Sequence, residues 1–109
     1  MHGSGDVPES WVNAGHANFI LDNLIADGKA EPMIVVMPTG HAKPYNLPRG
    51  GSPGNNELFE QYLTQELIPF VDASFRTAGG PQNRAMAGLS MEAVTRYTPD
   101  FATPTCSVP

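Results

Sequence analysis

The sequence is poor in cysteine, basic residues and long apolar runs, each of which would point to a particular class of protein. Its single cysteine, Cys106, excludes a disulfide within the chain. Six Lys and Arg stand against eleven Asp and Glu, and the net charge is −5. Because phosphate binding requires clustered basic side chains, this scattering excludes nucleic acid as a partner. No apolar run reaches the roughly 18 residues that span a bilayer, so no membrane partner is expected.

Motifs for metal binding and export are also missing. No pair of His, Cys or Asp residues has the spacing of metal ligands, so we expect no metal and no other cofactor. No charged segment followed by an apolar core opens the chain, so no signal peptide is visible and the localisation stays open.

Glycine and proline are the abundant residues, with eleven of each. They concentrate in the opening segment, in 44–54, in 79–81 and in the final Pro-Thr tail. The chain is otherwise ordinary, with 40% hydrophobic and 16% charged residues, and lacks the composition of a disordered protein. A chain of 109 residues forms one domain at most.

The first regular element is a predicted helix from His16 to Lys29. It follows a Gly-rich loop, 1–15, that contains Trp11. Gly28 and the lysine after it provide a C-terminal stop. Apolar residues recur at three-to-four spacing and define the core face: Phe19, Ile20, Leu24 and Ile25.

The continuous apolar run 32–38 lies between two prolines. Such a run is typical of a strand buried on both faces of a parallel sheet. The next residues, 39–55, are rich in Gly, Pro and Asn and form a long loop. Loops of this length without structure are usually functional or disordered.

A second helix begins near Asn55 or Asn56, either of which is a good N-cap residue. Pro69 is expected to kink it or to divide it in two. A turn at 77–82 and a short strand at 83–88 follow, which completes the helix–strand alternation of an α/β fold. The predicted core face of this helix contains Phe59, Tyr62, Leu63, Leu67, Phe70 and Val71.

The predicted second strand leads directly into Gly88-Leu89-Ser90-Met91-Glu92. In the nucleophile elbow, G-x-S-x-G, the serine lies on a tight strand-to-helix turn with its hydroxyl above the sheet edge. Gly88 satisfies the first small position of this motif, and Glu92 breaks the second. The alternative is that Ser90 caps a short helix.

A second motif, His2-Gly3-Ser4-Gly5, precedes the elbow. In α/β-hydrolases an H-G-x-G loop after an early strand supplies one N–H of the oxyanion hole, and the residue after the nucleophile supplies the other. The alternative is a flexible Gly-rich terminus. The two motifs occur in the expected order, with a predicted helix and strand between them.

Together these segments resemble the esterase-D-like family of α/β-hydrolases, and within it the feruloyl and related carbohydrate esterases. The resemblance covers about residues 2–91. It implies a partial three-layer α/β/α fold with a mostly parallel sheet, without the N-terminal strands and the C-terminal half. The partial α/β-hydrolase domain would occupy 1–91, and 92–109 would be a divergent, disordered tail. The matching segments are the DNLIADGK helix, the PMIVVMP strand, the ELIPFVDASFR helix and the AGLSM elbow.

The resemblance implies ester hydrolysis by a serine mechanism without a cofactor. Ser90 would attack the ester carbonyl. The backbone N–H groups of Met91, and of the loop at Gly3 and Ser4, would bind the oxyanion. Family substrates include hydroxycinnamoyl and acetyl esters on plant polysaccharides, and members of the family are often secreted.

Trp11 and His41 are the candidate substrate-binding residues. Each would line the acyl or sugar pocket, Trp11 from the opening loop and His41 from the loop 39–55. The alternative for Trp11 is a loop anchor packed on the domain. The alternative for His41, besides a substitute base, is an exposed loop histidine.

The catalytic partners expected after the serine are incomplete. In this fold the order is Ser, then Asp or Glu, then His. Only Glu92 and Asp100 follow Ser90, whereas His2, His16 and His41 all precede it. Without a base in reach, serine is a poor nucleophile at neutral pH, so we expect this chain to be weak or inactive.

Two other interpretations stay open. The chain would be a non-catalytic fragment or binding module that self-associates through uncovered sheet edges. Alternatively, it would be another α/β-hydrolase such as a lipase or peptidase, because the fold alone does not select the substrate. Two acids on the second helix, Glu66 and Asp72, are expected to be ordinary solvent-facing or capping residues.

Overall fold

A computed structural model describes residues 2–3, 5–42 and 54–88. Its regular elements are helical, and no strand occurs in this described part of the chain. Within the same residues, no helix has both the length and the apolar content needed to cross a membrane. The elements in order are α1 (Ser10–Asn13), α2 (Ala17–Ala26), α3 (Asn55–Tyr62), a π-helical segment (Leu63–Leu67), α4 (Ile68–Ser74) and a 3₁₀ turn (Pro81–Asn83).

Helix α2 confirms the predicted first helix, with ends slightly inside the predicted ones, but its predicted core face is wrong for Phe19 and Ile20, which are 63% and 53% exposed. It begins after His16, whose φ is +50°. Its end is a Schellman motif: the Gly28 N–H donates to the Ile25 carbonyl (3.0 Å), and the Lys29 N–H donates to the Leu24 carbonyl (2.8 Å). Gly28 has φ +69°, a conformation that glycine adopts without steric cost. The predicted glycine stop is therefore confirmed.

The second predicted helix is continuous from Asn55 to Ser74, but its hydrogen-bond pattern changes midway. A π segment precedes α4, and Pro69 lies in the first turn of α4. Proline lacks the N–H that an α-helix interior requires, and π segments commonly adjust a helix locally. The predicted division at Pro69 thus takes the form of two α-helices joined by a π segment.

The predicted cap of this helix is wrong. Gly54, with φ +74°, occupies the N-cap position, and no side chain caps the helix. The Asn55 side chain instead bonds to residues far earlier in the chain. This helix therefore begins with a glycine in the left-handed conformation, because the asparagine is used elsewhere.

The core of the described residues is centred on α3 and the π segment. Phe59 is 1% exposed and Leu63 is 4% exposed, and they are the buried apolar side chains of this part of the protein. Phe70, predicted on the same face, is 63% exposed. A π turn contains more residues than an α turn, so positions beyond it rotate relative to the α-helical pattern. The other predicted core residues are partly buried: Tyr62, Leu67 and Val71.

The apolar run 32–38 has no assigned strand, and the prediction of a buried strand is wrong for the described structure. Met33, Ile34, Val35 and Val36 are between 44% and 51% exposed. A strand requires a neighbour for its N–H and C=O groups, and no described segment pairs with this run.

One side of the run faces α2. Val35 and Met37 line a groove of about 230 Å³ together with Leu21 and Ile25 of that helix. The apolar run therefore has partial contact with a helix and no neighbour in a sheet.

The second predicted strand, 83–88, is also absent: these residues are described, and none of them forms a strand. The predicted parallel sheet is thus not seen in the described residues. The predicted tail, 92–109, and the elbow residues after Gly88 lie outside them.

Candidate active site

The His2 side chain is buried and anchors the loop predicted to bind the oxyanion. The residue is 2% exposed. The Gly40 N–H donates to His2 Nε2 at 3.0 Å, and His2 Nδ1 lies 2.9 Å from the Gly3 carbonyl oxygen. Because Nε2 accepts a hydrogen bond, the proton of the neutral ring is on Nδ1, which donates to Gly3. His2 therefore joins this loop to the segment after the apolar run.

The Gly3 carbonyl receives a second donor, the N–H of Asp6, at 3.1 Å. Asp6 in turn accepts the Ser10 hydroxyl and the Val7 N–H, the latter at 2.9 Å. The Ser10 hydroxyl, and after it the Val7 N–H, hold the pKa of Asp6 below its usual value. The loop after His2 is thus fixed by hydrogen bonds to the start of α1.

Asn55 holds the same segment from the opposite side. Its side chain is 5% exposed. Its Nδ2 donates to the Gly40 carbonyl at 2.9 Å, and its Oδ1 accepts the Ala42 N–H at 2.9 Å. Gly40 is consequently bound through its N–H by His2 and through its C=O by Asn55. We call Gly40–Ala42, held in this way, the clamped turn.

His41 is the middle residue of the clamped turn. Its ring centroid is 5.5 Å from that of His2, with the planes tilted by 55°. It lines a cavity of about 260 Å³. Its described lining residues come from the segment that includes the turn and from α3, and they are Thr39, His41, Ala42, Leu58, Phe59 and Tyr62.

The wall from α3 is largely aromatic. The centroids of the Phe59 and Tyr62 rings are 6.0 Å apart, and the ring planes are tilted by 50°. That separation is within the range of favourable aromatic pairs. The cavity thus combines an aromatic wall with an imidazole and a hydroxyl, a lining suited to a small ring or acyl group with polar substituents.

Trp11 lies on α1 and is not among the residues that line this cavity. Its indole Nε1 is buried and has no hydrogen-bond partner in the described structure. The structure therefore brings His2, Gly3 and His41 together, and Trp11 does not line the cavity beside them. His16, at the start of α2, is exposed.

A second polar cluster fixes the approach to the elbow. Asp72 accepts the Thr77 hydroxyl at 2.7 Å and pairs with the Arg84 guanidinium. The Thr77 hydroxyl, and after it the hydrogen bond and the charge of Arg84, hold the pKa of Asp72 below its usual value, against an opposing effect of burial. Asp72 is partly exposed, in keeping with the expectation, and its contacts also link α4 to the segment leading toward Gly88. Glu66 is exposed, as expected.

Three predicted site residues lie outside the described part of the chain: Ser4, Ser90 and Met91. Their roles stay predictions. The residue that sequence reasoning missed is Asn55, which was expected only as a helix cap. No group of three or more His, Cys, Asp or Glu side chains with metal-binding geometry occurs among the described residues.

Comparison with protein families gives one match over most of the chain. The Esterase family model, described as "Putative esterase", matches residues 2–95. The match includes the His2 loop, the clamped turn, Asn55 and the predicted elbow.

Curated relatives include a protein named endo-1,4-beta-xylanase/feruloyl esterase from Xylanibacter ruminicola, which is 49% identical over 93 residues, covering 84% of this chain and 12% of the relative. Endo-1,4-beta-xylanase Y from Acetivibrio thermocellus is 31% identical over 108 residues, covering 89% of this chain and 9% of the relative. Esterase Rv1288 from Mycobacterium tuberculosis is 39% identical over 62 residues, covering 56% of this chain and 13% of the relative. The chain therefore spans only a small part of each of these relatives.

Proposed function

The chain belongs to the Esterase family, and on that premise we propose that it carries the nucleophile of a carboxylic-ester hydrolase that works through an acyl-enzyme on Ser90. The Ser90 hydroxyl would attack the ester carbonyl carbon, the alcohol would leave, and water would then release the acid. The N–H of Met91 and an N–H of the Gly3–Ser4 loop would bind the oxyanion. Removal of one such donor typically costs about 2.7–4 kcal/mol of transition-state stabilisation.

The observation that carries the proposal is the hydrogen bond from the Gly40 N–H to His2 Nε2. It fixes the start of the predicted oxyanion loop beside the turn that lines the cavity. Oxyanion donors and an acyl pocket must be neighbours, because both act on the same carbonyl group. The contact between His2 and Gly40 supports that neighbourhood independently of the elbow motif.

The substrate class that we propose is a hydroxycinnamoyl or acetyl ester, including esters attached to a polysaccharide. The names of two relatives, which include feruloyl esterase and xylanase, support this class. The cavity of about 260 Å³ is slightly smaller than the range of about 300–1,000 Å³ typical of drug-sized ligands. It suits the aromatic acyl group, with the alcohol or sugar outside it.

We propose that His41 contacts the substrate within this cavity and that Trp11 contacts it from outside. His41 lines the cavity, whereas Trp11 does not.

The 109 residues contain no histidine after Ser90. Triad enzymes that lose a member keep a residual rate of about 10³–10⁴-fold over water from the oxyanion hole and from binding. We therefore propose that this chain alone is a weak or inactive esterase.

The test uses the full 109-residue chain with p-nitrophenyl acetate and methyl ferulate, and Ser90→Ala as the control. We expect methyl ferulate to bind, and we expect little or no turnover that depends on Ser90. Robust turnover abolished by Ser90→Ala would overturn the proposed weakness of the chain. Hydrolysis of a triglyceride or peptide substrate in preference to both esters would contradict the substrate class.

A further inference from the structure

We propose that Asn55 is a positioning residue that sets the shape of the ester cavity by holding His41 in place through the clamped turn. The inference rests on the proposed function and deepens it, because it assigns a role to a residue that has no chemistry of its own in the reaction. Asn55 acts on the backbone on each side of His41, and His41 contacts the substrate.

The first step is the geometry of the turn. Gly40 and Ala42 are the two neighbours of His41, and Asn55 bonds to both of them at 2.9 Å. His2 bonds to the remaining backbone group of Gly40 at 3.0 Å. Three backbone groups around His41 are thus fixed by two buried side chains.

The second step is that α3 does not need this side chain in order to form. Gly54 is its N-cap, and no side chain caps its first turn. Asn55 reaches 15 residues back to Gly40 and 13 back to Ala42. Burial of an amide without partners costs about 1–3 kcal/mol, and the bonds to the turn offset that cost.

The third step connects the turn to the cavity. Phe59 lies four residues after Asn55, one helical turn further along the same face of α3. The helix that supplies the aromatic wall through Phe59 therefore also holds the turn through Asn55. Loss of the two Asn55 bonds would loosen the backbone on each side of His41 without removing any atom that touches the substrate.

The experiment compares Asn55→Ala, Asn55→Asp and Asn56→Ala in the full 109-residue chain. Asn55→Ala removes both bonds to the turn. Asn55→Asp keeps the size of the side chain and the acceptor for Ala42, but it loses the donor to the Gly40 carbonyl. Asn56→Ala is the matched control, because Asn56 is an exposed asparagine in the same helical turn.

Two quantities are measured: the Kd for methyl ferulate and the ligand-free NMR signals of the His41 ring, assigned with His41→Ala. Far-UV circular dichroism reports whether each variant keeps its helices. We expect Asn55→Ala, which loses both hydrogen bonds, to weaken methyl ferulate binding about tenfold, Asn55→Asp, which loses one, to weaken it less, and both variants to shift the His41 signals. Asn56→Ala should change neither quantity.

A double-mutant cycle tests whether Asn55 acts through His41. The Asn55→Ala, His41→Ala double variant should bind methyl ferulate as His41→Ala alone does. Additive losses would overturn the proposal, as would unchanged binding and unchanged His41 signals in folded Asn55→Ala.

Failure of the proposed function gives a different result. If the unsubstituted chain does not bind methyl ferulate, the substrate class is wrong, and the His41 signals still decide the role of Asn55. If Asn55→Ala does not fold, the decision rests on Asn55→Asp. Loss of the fold in both variants would make Asn55 a folding residue and would overturn its positioning role.

Discussion

The clamped turn and residues 33–36 of the apolar run reverse the usual pattern of burial. Polar side chains are buried at the turn, and apolar side chains are exposed in the run. The turn is held by the polar side chains of His2 and Asn55, which are 2% and 5% exposed. The run consists of Met, Ile, Val and Val, and each is at least 44% exposed. Polar groups are usually exposed and apolar ones buried, so both regions are exceptions.

The difference shows that the described residues provide partners for the buried polar groups but do not provide a full cover for the apolar run. The buried polar atoms around Gly40 find their partners within the chain, and their burial is therefore tolerated. The apolar run needs a covering surface on both faces, and the described residues supply only part of one, from α2. The candidate site is thus locally complete at the turn, while the scaffold beside it is not.

The largest expected effect comes from the core beneath the turn. Phe59→Ala should lower the free energy of unfolding by about 3–5 kcal/mol, because it removes the most buried large side chain of the described residues. Urea unfolding followed by circular dichroism measures it. Phe70→Ala, in the same continuous helix, is the control. It should change the free energy of unfolding by no more than about 0.5 kcal/mol, because Phe70 is 63% exposed. Equal losses in the two variants would contradict this placement of the core.

A second change tests whether the exposed run promotes self-association. Val35→Lys should shift the chain toward the monomer in size-exclusion chromatography, because it places a charge in the middle of the apolar patch. Val7→Lys, at a residue that is 54% exposed outside the run, should leave the elution volume unchanged. A monomeric unsubstituted chain with cooperative unfolding would remove the basis for this prediction.

The smallest expected effect is the pH dependence of the Asp72 contacts. The pKa of Asp72 is lower in the folded chain, first because of the Thr77 hydroxyl and then because of Arg84. The stabilisation is therefore present above the unfolded pKa of about 3.9 and is lost as the pH falls through the lower, folded pKa. Asp72→Asn should melt below the unsubstituted chain at neutral pH, and the two melting curves should converge in acid. A constant difference across the acid range would show that Asp72 does not act through its charge.

Sequence patterns predicted the elements that depend on local interactions. Helix α2 and its stop at Gly28 follow from apolar spacing and from the left-handed conformation of glycine, both of which are local. The exposure of Phe70 was not predictable from spacing, because a π segment rotates the residues beyond it. The run 32–38 was predicted as a buried strand because its apolar composition suits burial on both faces. Composition does not show whether neighbouring segments provide that burial.

The candidate site was predicted only in part, because local sequence patterns do not encode contacts between distant residues. The resemblance implied that Gly3 binds the oxyanion, and His41 was a candidate for lining the substrate pocket; the structure brings His2, next to Gly3, within ring contact of His41. Asn55 was missed because its partners lie 13 and 15 residues away, and no local pattern encodes such a contact. The roles of Ser90 and Met91 remain predictions from the elbow motif and from family resemblance.

The π segment before Pro69 has a consequence for how this helix tolerates insertions and deletions. A π segment is equivalent to one residue inserted into an α-helix, and here the Ile68 N–H reaches back to the Leu63 carbonyl. Deletion of a single residue within it would restore α-helical spacing and bring Phe70 back toward the side of Phe59. The same deletion would return Pro69 to an unbroken α-helix, where its ring clashes with the carbonyl four residues earlier. We therefore expect the extra residue and the proline to be gained or lost together.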